Sequence, residues 1–134
     1  MLLKARSTVR DEGGYASALI VAKSADLREG LHSLLTVVPQ IGCIGHASGG
    51  SSGLWQVEER CPDLLLLDFD LLHEDVIALL REIKARCPHI QCVAFTDHAH
   101  KRGEAQSAGA DVVLLKGYPA ANLISTITKL LVMS

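Results

Sequence analysis

Five short apolar runs, each bounded by turn residues, constrain what this chain can fold into more than any other feature. Each run is too short for a helix and lacks polar alternation, which is typical of strands buried on both faces. The stretches between the runs place apolar residues three and four positions apart, as amphipathic helices do. The runs are Ala18–Ala22, Ile41–Ile44, Leu64–Leu67, Cys92–Phe95 and Val112–Leu115.

Strands that alternate with helices predict a parallel sheet covered by helices on both faces. Because crossovers are right-handed, few topologies remain, and the leading one is a flavodoxin-like, doubly wound (βα)5 fold with strand order 2-1-3-4-5. Residues 1–15 mix charged and small polar residues without periodicity, so we expect a flexible leader there. Residues 16–134 are then predicted to form a single domain.

Composition excludes several classes of function. Thirteen basic and fifteen acidic residues give a net charge of −2. The sequence has no stripe of basic residues of the kind that binds nucleic acids directly, so we do not expect this function. No apolar run approaches the ~20 residues of a membrane span, and the first residues lack a secretory signal, so we expect a cytoplasmic protein. The four cysteines form no CxxC pair, and we interpret them as small buried side chains in a reducing compartment.

Polar residues follow the predicted strands at the sheet edge where this fold binds ligands. Lys23 follows the first run, Asp68 and Asp70 the third, Thr96 the fourth and Lys116 the fifth. A carboxylate can accept a phosphoryl group, and ammonium groups and a hydroxyl stabilise its charge. The pattern therefore predicts one site built from Lys23, Asp68, Thr96 and Lys116.

Several segments resemble response-regulator receiver domains in order and spacing across residues 17–132. They are Pro62–Asp68, Phe95–Thr96, Leu114–Lys116, Leu27–Leu31 and Ala108–Asp111, and Ile44–Gly50 resembles a subfamily that often carries a DNA-binding domain. The resemblance implies that Asp68 is the phospho-acceptor, Thr96 the switch hydroxyl and Lys116 the phosphate-pairing lysine. It also implies a partner histidine kinase and Mg²⁺.

The chain departs from the family pattern at three places. Ala22 and Lys23 stand where the family has the acidic pair that binds Mg²⁺, so Asp68 and Asp70 alone predict a weak or absent metal site. Residues 71–75 replace the family's Met-Pro and glycine-rich turn, and Val113 replaces its rotating aromatic residue. We hypothesise that Lys23 and Lys116 hold Asp68 in a permanent ion pair.

Three interpretations of function follow. The favoured one is a pseudo-receiver, which is a binding module rather than an enzyme and has a degenerate phosphorylation site. The alternative is a receiver that a histidine kinase still phosphorylates on Asp68, and the third is a flavodoxin-like enzyme or cofactor carrier that uses Cys92. The resemblance also implies a homodimer through the fourth helix, fifth strand and fifth helix, where Val113 and Tyr118 would supply apolar surface.

Three further features have structural interpretations. Ser48–Gly53 is interpreted as the turn that opens the second helix rather than a phosphate cradle, because it follows strand 2 and lacks a P-loop lysine. Asp97, His98 and His100 are interpreted as a polar loop rather than a metal site, since no further spaced ligand lies nearby to complete one. Trp55 is expected to pack against the rest of the domain.

Overall fold

Five parallel strands form one sheet in the computed structural model, which describes residues 14–71 and 74–133. The strands pair in the order β2-β1-β3-β4-β5, so the predicted flavodoxin-like topology is confirmed. The predicted leader lies outside the described residues except for Gly14 and Tyr15. The strands are β1 (Ala16–Val21), β2 (Ile41–Ala47), β3 (Leu64–Asp68), β4 (Gln91–Thr96) and β5 (Val112–Leu115).

Five helices connect and follow these strands, and a short 3-10 turn at Ala99–Lys101 leads into the fourth. Side-chain caps fix where two of them begin: Ser24 accepts from the Leu27 N–H, and Asp75 accepts from the Ala78 N–H. No helix within the described ranges is both long and apolar enough to cross a membrane. The helices are α1 (Ala25–Leu35), α2 (Gly50–Arg60), α3 (Val76–Arg86), α4 (Arg102–Ala108) and α5 (Ala120–Met133).

The central strands bury side chains on both faces, as their unbroken apolar runs predict. Along β3, Leu65 and Leu67 pack toward α2, α3 and α4, whereas Leu64 and Leu66 pack toward α1 and α5. All four leucines are fully buried. Burying one such side chain contributes about 1.5–3 kcal/mol, so the two apolar layers hold the sheet rigid beneath its edge.

A disulfide joins Cys61 and Cys87, so the expectation of unpaired cysteines is wrong for these two. The physical reason is positional: each cysteine ends a helix, α2 and α3 respectively, and these helices pack side by side. Their Cα atoms are therefore 5.8 Å apart, within the range that a disulfide spans. Cys43 and Cys92 are free, and Cys92 is buried as expected.

Two apolar side chains lie elsewhere than predicted. Val113 is buried, because its place in β5 directs it into the layer beneath α3 and α4, and it supplies no exposed apolar surface. Trp55 is 61% exposed on α2, because the face of that helix that packs on the sheet carries Gly53 and Val57 instead.

Candidate functional site

The carboxyl ends of β3, β4 and β5 bring three predicted site residues to one edge of the sheet. Asp68 is the last residue of β3, Thr96 is the last of β4, and Lys116 follows β5 directly. The register fixes this arrangement, since Asp68 pairs with Phe95 across β3 and β4, and Thr96 pairs with Leu115 across β4 and β5. A parallel sheet thus juxtaposes side chains that are distant in the sequence.

Lys116 is the cation at the centre of this edge. Its Nζ lies 2.9 Å from Asp68 Oδ1, 3.2 Å from Asp70 Oδ2 and 3.9 Å from Asp97 Oδ2. Burial on its own lowers the pKa of Lys116, but hydrogen bonds and charges from Asp68 and Asp70 outweigh burial and raise this pKa above its ordinary value. The ammonium therefore stays charged.

Asp70 accepts more hydrogen bonds than sequence reasoning assigned to it. Oδ1 accepts from Thr96 Oγ1 at 2.7 Å and from Lys101 Nζ at 3.2 Å. Oδ2 accepts from the Asp97 backbone N–H at 2.7 Å and lies 3.2 Å from Lys116 Nζ. Burial raises the pKa of Asp70, yet these donors outweigh it and hold the pKa well below its ordinary value of 3.8.

Asp68 is held from two directions. It is buried, with 8% of its surface exposed, and its Oδ1 accepts from the Asp70 backbone N–H at 2.9 Å as well as pairing with Lys116. The next backbone N–H, of Phe69, donates to the Phe95 carbonyl at 2.8 Å. The backbone amides of the two residues that follow Asp68, Phe69 and Asp70, are therefore already bonded within the protein.

Lys23 does not join the cluster, so the hypothesised Lys23–Asp68 ion pair is wrong. Its side chain is exposed, and no ion pair involving it occurs among residues 14–71 and 74–133. The physical reason lies in α1: Arg28 Nη1 donates to the Ala22 carbonyl at 2.6 Å and to the Lys23 carbonyl at 2.9 Å. Arg28 thereby fixes the backbone after β1, and Ala22 is fully buried.

Lys101 and Arg28 contribute cations that the sequence did not single out. Lys101 lies in the 3-10 turn before α4, and its Nζ reaches Asp70 across 31 positions of the sequence. A lysine in a turn or an arginine on an amphipathic helix carries no functional signal in one sequence, because such residues are ordinarily solvated. Only the packing of these elements against the sheet edge brings the two cations to it.

The residues at this edge do not fit Mg²⁺. The position after β1 offers Ala22 and an outward Lys23 instead of carboxylates, and Asp68 and Asp70 are already paired with Lys116 and Lys101. Among the described residues, no group of three His, Cys, Asp or Glu side chains is placed to hold a metal ion. A hard divalent cation needs several oxygen ligands free of other cations.

The other sequence features lie outside this cluster. His98 and His100 are exposed in the loop after β4, with ring centroids 5.5 Å apart. Ser48 and Gly49 lead into α2, Gly50–Gly53 form its first turn, and the Gly50 N–H donates to Glu74 Oε1 at 2.7 Å. Burial raises the pKa of Cys92 to about 12, which leaves a protonated, enclosed thiol that is poorly suited to nucleophilic chemistry.

Comparisons with known proteins agree with the fold. Residues 18–128 match the family model described as the response regulator receiver domain. The chain is 28% identical over 114 residues to the nitrate/nitrite response regulator protein NarL of Escherichia coli K12, covering 84% of this chain. It is 33% identical over 109 residues, 79% of this chain, to a protein-glutamate methylesterase/protein-glutamine glutaminase of Chromobacterium violaceum.

A solved structure extends the comparison to three dimensions. A two-component response regulator of the LuxR family from Aurantimonas sp. SI85-9A1 superposes with a TM-score of 0.80 at 23% identity. The match covers 88% of this chain and 86% of that one, and at this identity it shows a shared fold. The chain spans 53% of the length of the NarL protein and 30% of the methylesterase.

Proposed function

Because this chain belongs to the family of response regulator receiver domains, we propose that it is a pseudo-receiver, a regulatory module that acts without phosphorylation of Asp68. The family is regulatory, and its members interact with histidine kinases in two-component signalling. In this proposal the chain is not an enzyme, and its effect passes through a protein that it binds. Direct nucleic-acid binding forms no part of it, since the net charge is −2.

The observation that carries this proposal is the engagement of the donors around Asp68. Thr96 Oγ1 and the Asp97 N–H donate to Asp70, and Lys116 Nζ lies between Asp68 and Asp70. A transferring phosphoryl group needs such donors for its spread negative charge. Here it would have to displace protein carboxylates to reach them.

The lack of a fitting metal site supports the same conclusion. Mg²⁺ neutralises charge between the donor phosphate and the acceptor carboxylate during phosphoryl transfer. Ala22 and Lys23 supply no metal ligand after β1, and Arg28 binds both of their carbonyls. We therefore expect weak Mg²⁺ affinity and little phosphorylation.

Intact mass spectrometry after incubation with acetyl phosphate and Mg²⁺ tests the proposal. We expect the unmodified mass for the wild-type chain, and the same for Asp68→Asn as the control that lacks the acceptor. A phosphoryl adduct on the wild-type chain that is absent from Asp68→Asn would contradict the proposal. Lys23→Asp returns one carboxylate to the position after β1, and its Mg²⁺ affinity, measured by calorimetry, should exceed that of the wild type.

A second candidate function is phosphorylation of Asp68 by a histidine kinase. The juxtaposition of Asp68, Thr96 and Lys116 at one sheet edge favours it, since Lys116 Nζ is 2.9 Å from the acceptor carboxylate. A kinase that docks on the domain can supply charge stabilisation that acetyl phosphate cannot. Transfer from a phosphorylated kinase to the wild-type chain, but not to Asp68→Asn, would establish this function.

The proposed partner surface is the face formed by α4, β5 and α5, including a homodimer through it. Leu115 and Tyr118 are 36% and 39% exposed at the end of β5. If this face pairs two copies, Tyr118→Ser should shift sedimentation toward the monomer. Trp55→Ser, which removes an exposed aromatic ring from α2, should not. A wild-type chain that sediments as a monomer at all concentrations would count against the homodimer.

The proposed place of action is the cytoplasm, where receiver partners act and thiols are kept reduced. In that compartment the Cys61–Cys87 disulfide would be subject to reduction by cellular thiols. Maleimide trapping in intact cells should label both cysteines, and resistance to labelling before reduction would contradict a reducing location.

A further inference from the structure

Among the residues that the structure describes, four hydrogen-bond donors converge on the Asp70 carboxylate, and each comes from β4, β5 or the loops that follow them. They are the Thr96 hydroxyl, the Asp97 backbone N–H, Lys101 Nζ and Lys116 Nζ, at 2.7 to 3.2 Å. A hydroxyl, an amide and two ammonium groups directed at one point form an oxyanion site. The side chain of Asp70, only 13% exposed, fills that site with the protein's own anion.

The orientation of the Thr96 hydroxyl depends on this anion. Thr96 is fully buried, and its Oγ1 already accepts from the His98 N–H at 3.1 Å. Its proton therefore points to Asp70 Oδ1 at 2.7 Å. A buried hydroxyl without an acceptor is costly, so Asp70 determines which rotamer Thr96 adopts.

The same site is the place where a phosphoryl group on Asp68 would seek its donors. Asp68 and Asp70 share Lys116, which lies 2.9 Å from one carboxylate and 3.2 Å from the other. A phosphoryl group on Asp68 would add negative charge beside Asp70 in a partly buried site, where like charges repel strongly. Asp70 and an external anion therefore compete for one set of donors.

We propose that Asp70 is a built-in anion of this site, which occupies the phosphoryl position from the moment the chain folds and holds Thr96 and Lys116 in one fixed arrangement. This inference rests on the proposed function and explains it: the domain keeps a single signalling conformation because its anion is covalently part of the chain. Removal of Asp70 converts the position into an open site for an oxyanion such as phosphate.

The test compares anion binding by the wild-type chain and Asp70→Ala, with inorganic phosphate as the probe. Backbone amide resonances of Thr96, Asp97 and Lys116 are followed by two-dimensional NMR during the titration. Asp70→Ala should show saturable shifts at these amides, with affinity on the order of a hundredfold above the wild type, because one adjacent negative charge is gone. Wild-type resonances should not move at the same concentrations.

Asp97→Ala is the matched control. It removes an equal charge from the same edge, but Asp97 is 64% exposed, lies 3.9 Å from Lys116, and keeps its backbone N–H after substitution. It should bind phosphate no better than the wild type. If Asp97→Ala and Asp70→Ala bind phosphate equally, the effect is general electrostatics, and the proposal is overturned.

A second readout does not require anion binding. The methyl group of Thr96 should report a single rotamer in the wild type and in Asp70→Asn, which keeps an oxygen acceptor at Oδ1. It should report rotamer averaging in Asp70→Ala, with recovery when phosphate is added. A fixed Thr96 rotamer in Asp70→Ala without phosphate overturns the inference.

The two proposals fail in different ways. A wild-type chain that becomes phosphorylated on Asp68 refutes the pseudo-receiver function, whatever Asp70→Ala does. If the wild-type chain stays unmodified and the Thr96 rotamer is unchanged in Asp70→Ala, the pseudo-receiver function stands. Only the role of Asp70 is then refuted.

Discussion

Lys116 Nζ lies 2.9 Å from Asp68 Oδ1, the shortest of the three ion pairs that this lysine makes within the described part of the chain. The lysine also reaches Asp70 and Asp97, so one ammonium offsets the repulsion among three neighbouring carboxylates. Its place directly after β5 keeps it above the ends of β3 and β4. This geometry makes Lys116 the residue on which the stability of the site depends.

Lys116→Met should lower the free energy of unfolding by about 1–3 kcal/mol at pH 7, because it leaves partly buried carboxylates without their shared cation. Urea denaturation measures the difference. Lys101→Met is the control, since among residues 14–71 and 74–133 Lys101 pairs with one carboxylate, that of Asp70 at 3.2 Å, and its removal should cost less. Equal stability of wild type and Lys116→Met would contradict the assigned role.

Stability should fall in acid through Asp70. The pKa of Asp70 in the folded chain lies below its ordinary value of 3.8, so its stabilising contribution is complete above that pH and disappears as the pH falls toward the folded-state pKa. We expect Asp70→Asn to be less stable than the wild type at pH 7 and the difference to shrink below pH 3.8. Unfolding curves measured at several pH values decide this, and a constant difference at all pH values would refute it.

Gly109 and Gly103 should respond oppositely to alanine. Gly109 has φ +125°, and a Cβ there would lie 3.0 Å from Lys84 Cγ, so Gly109→Ala should destabilise the fold by about 1–3 kcal/mol. Gly103 lies within α4, and a Cβ there meets nothing within 4 Å, so Gly103→Ala should stabilise by about 0.4–1 kcal/mol. Thermal unfolding measures both, and shifts of the same sign would be inconsistent with this backbone.

Thiol reactivity should separate the two free cysteines. Cys43 is half-buried and should react with Ellman's reagent in the folded chain, whereas Cys92 is enclosed and its pKa is raised to about 12. One thiol should react quickly in native buffer, and a second should react after denaturation. Cys43→Ser should abolish the fast reaction. Rapid labelling of Cys92 in the native chain would show that its burial is wrong.

The pattern of apolar residues predicted the sheet well, because a strand buried on both faces needs an uninterrupted run of apolar residues. The run Val112–Leu115 coincides with β5, and the unbroken leucines of β3 are fully buried. The apolar stretches of β1 and β2 were less accurate at their ends, since Ala16 and Ala47 belong to the strands but are weak signals on their own.

The sequence alone determined that Asp68, Thr96 and Lys116 meet, because strand order in a parallel sheet follows from crossover handedness, and residues that end neighbouring strands must lie together. Only the tertiary structure decided what each side chain does there. Lys23 comes shortly after β1, where a site residue was predicted, but its side chain is exposed to solvent. Asp70 and Lys101 instead lie at the site, with Lys101 Nζ 3.2 Å from Asp70 Oδ1. The direction of a loop side chain depends on the elements packed around it, and no local pattern of residues encodes those contacts.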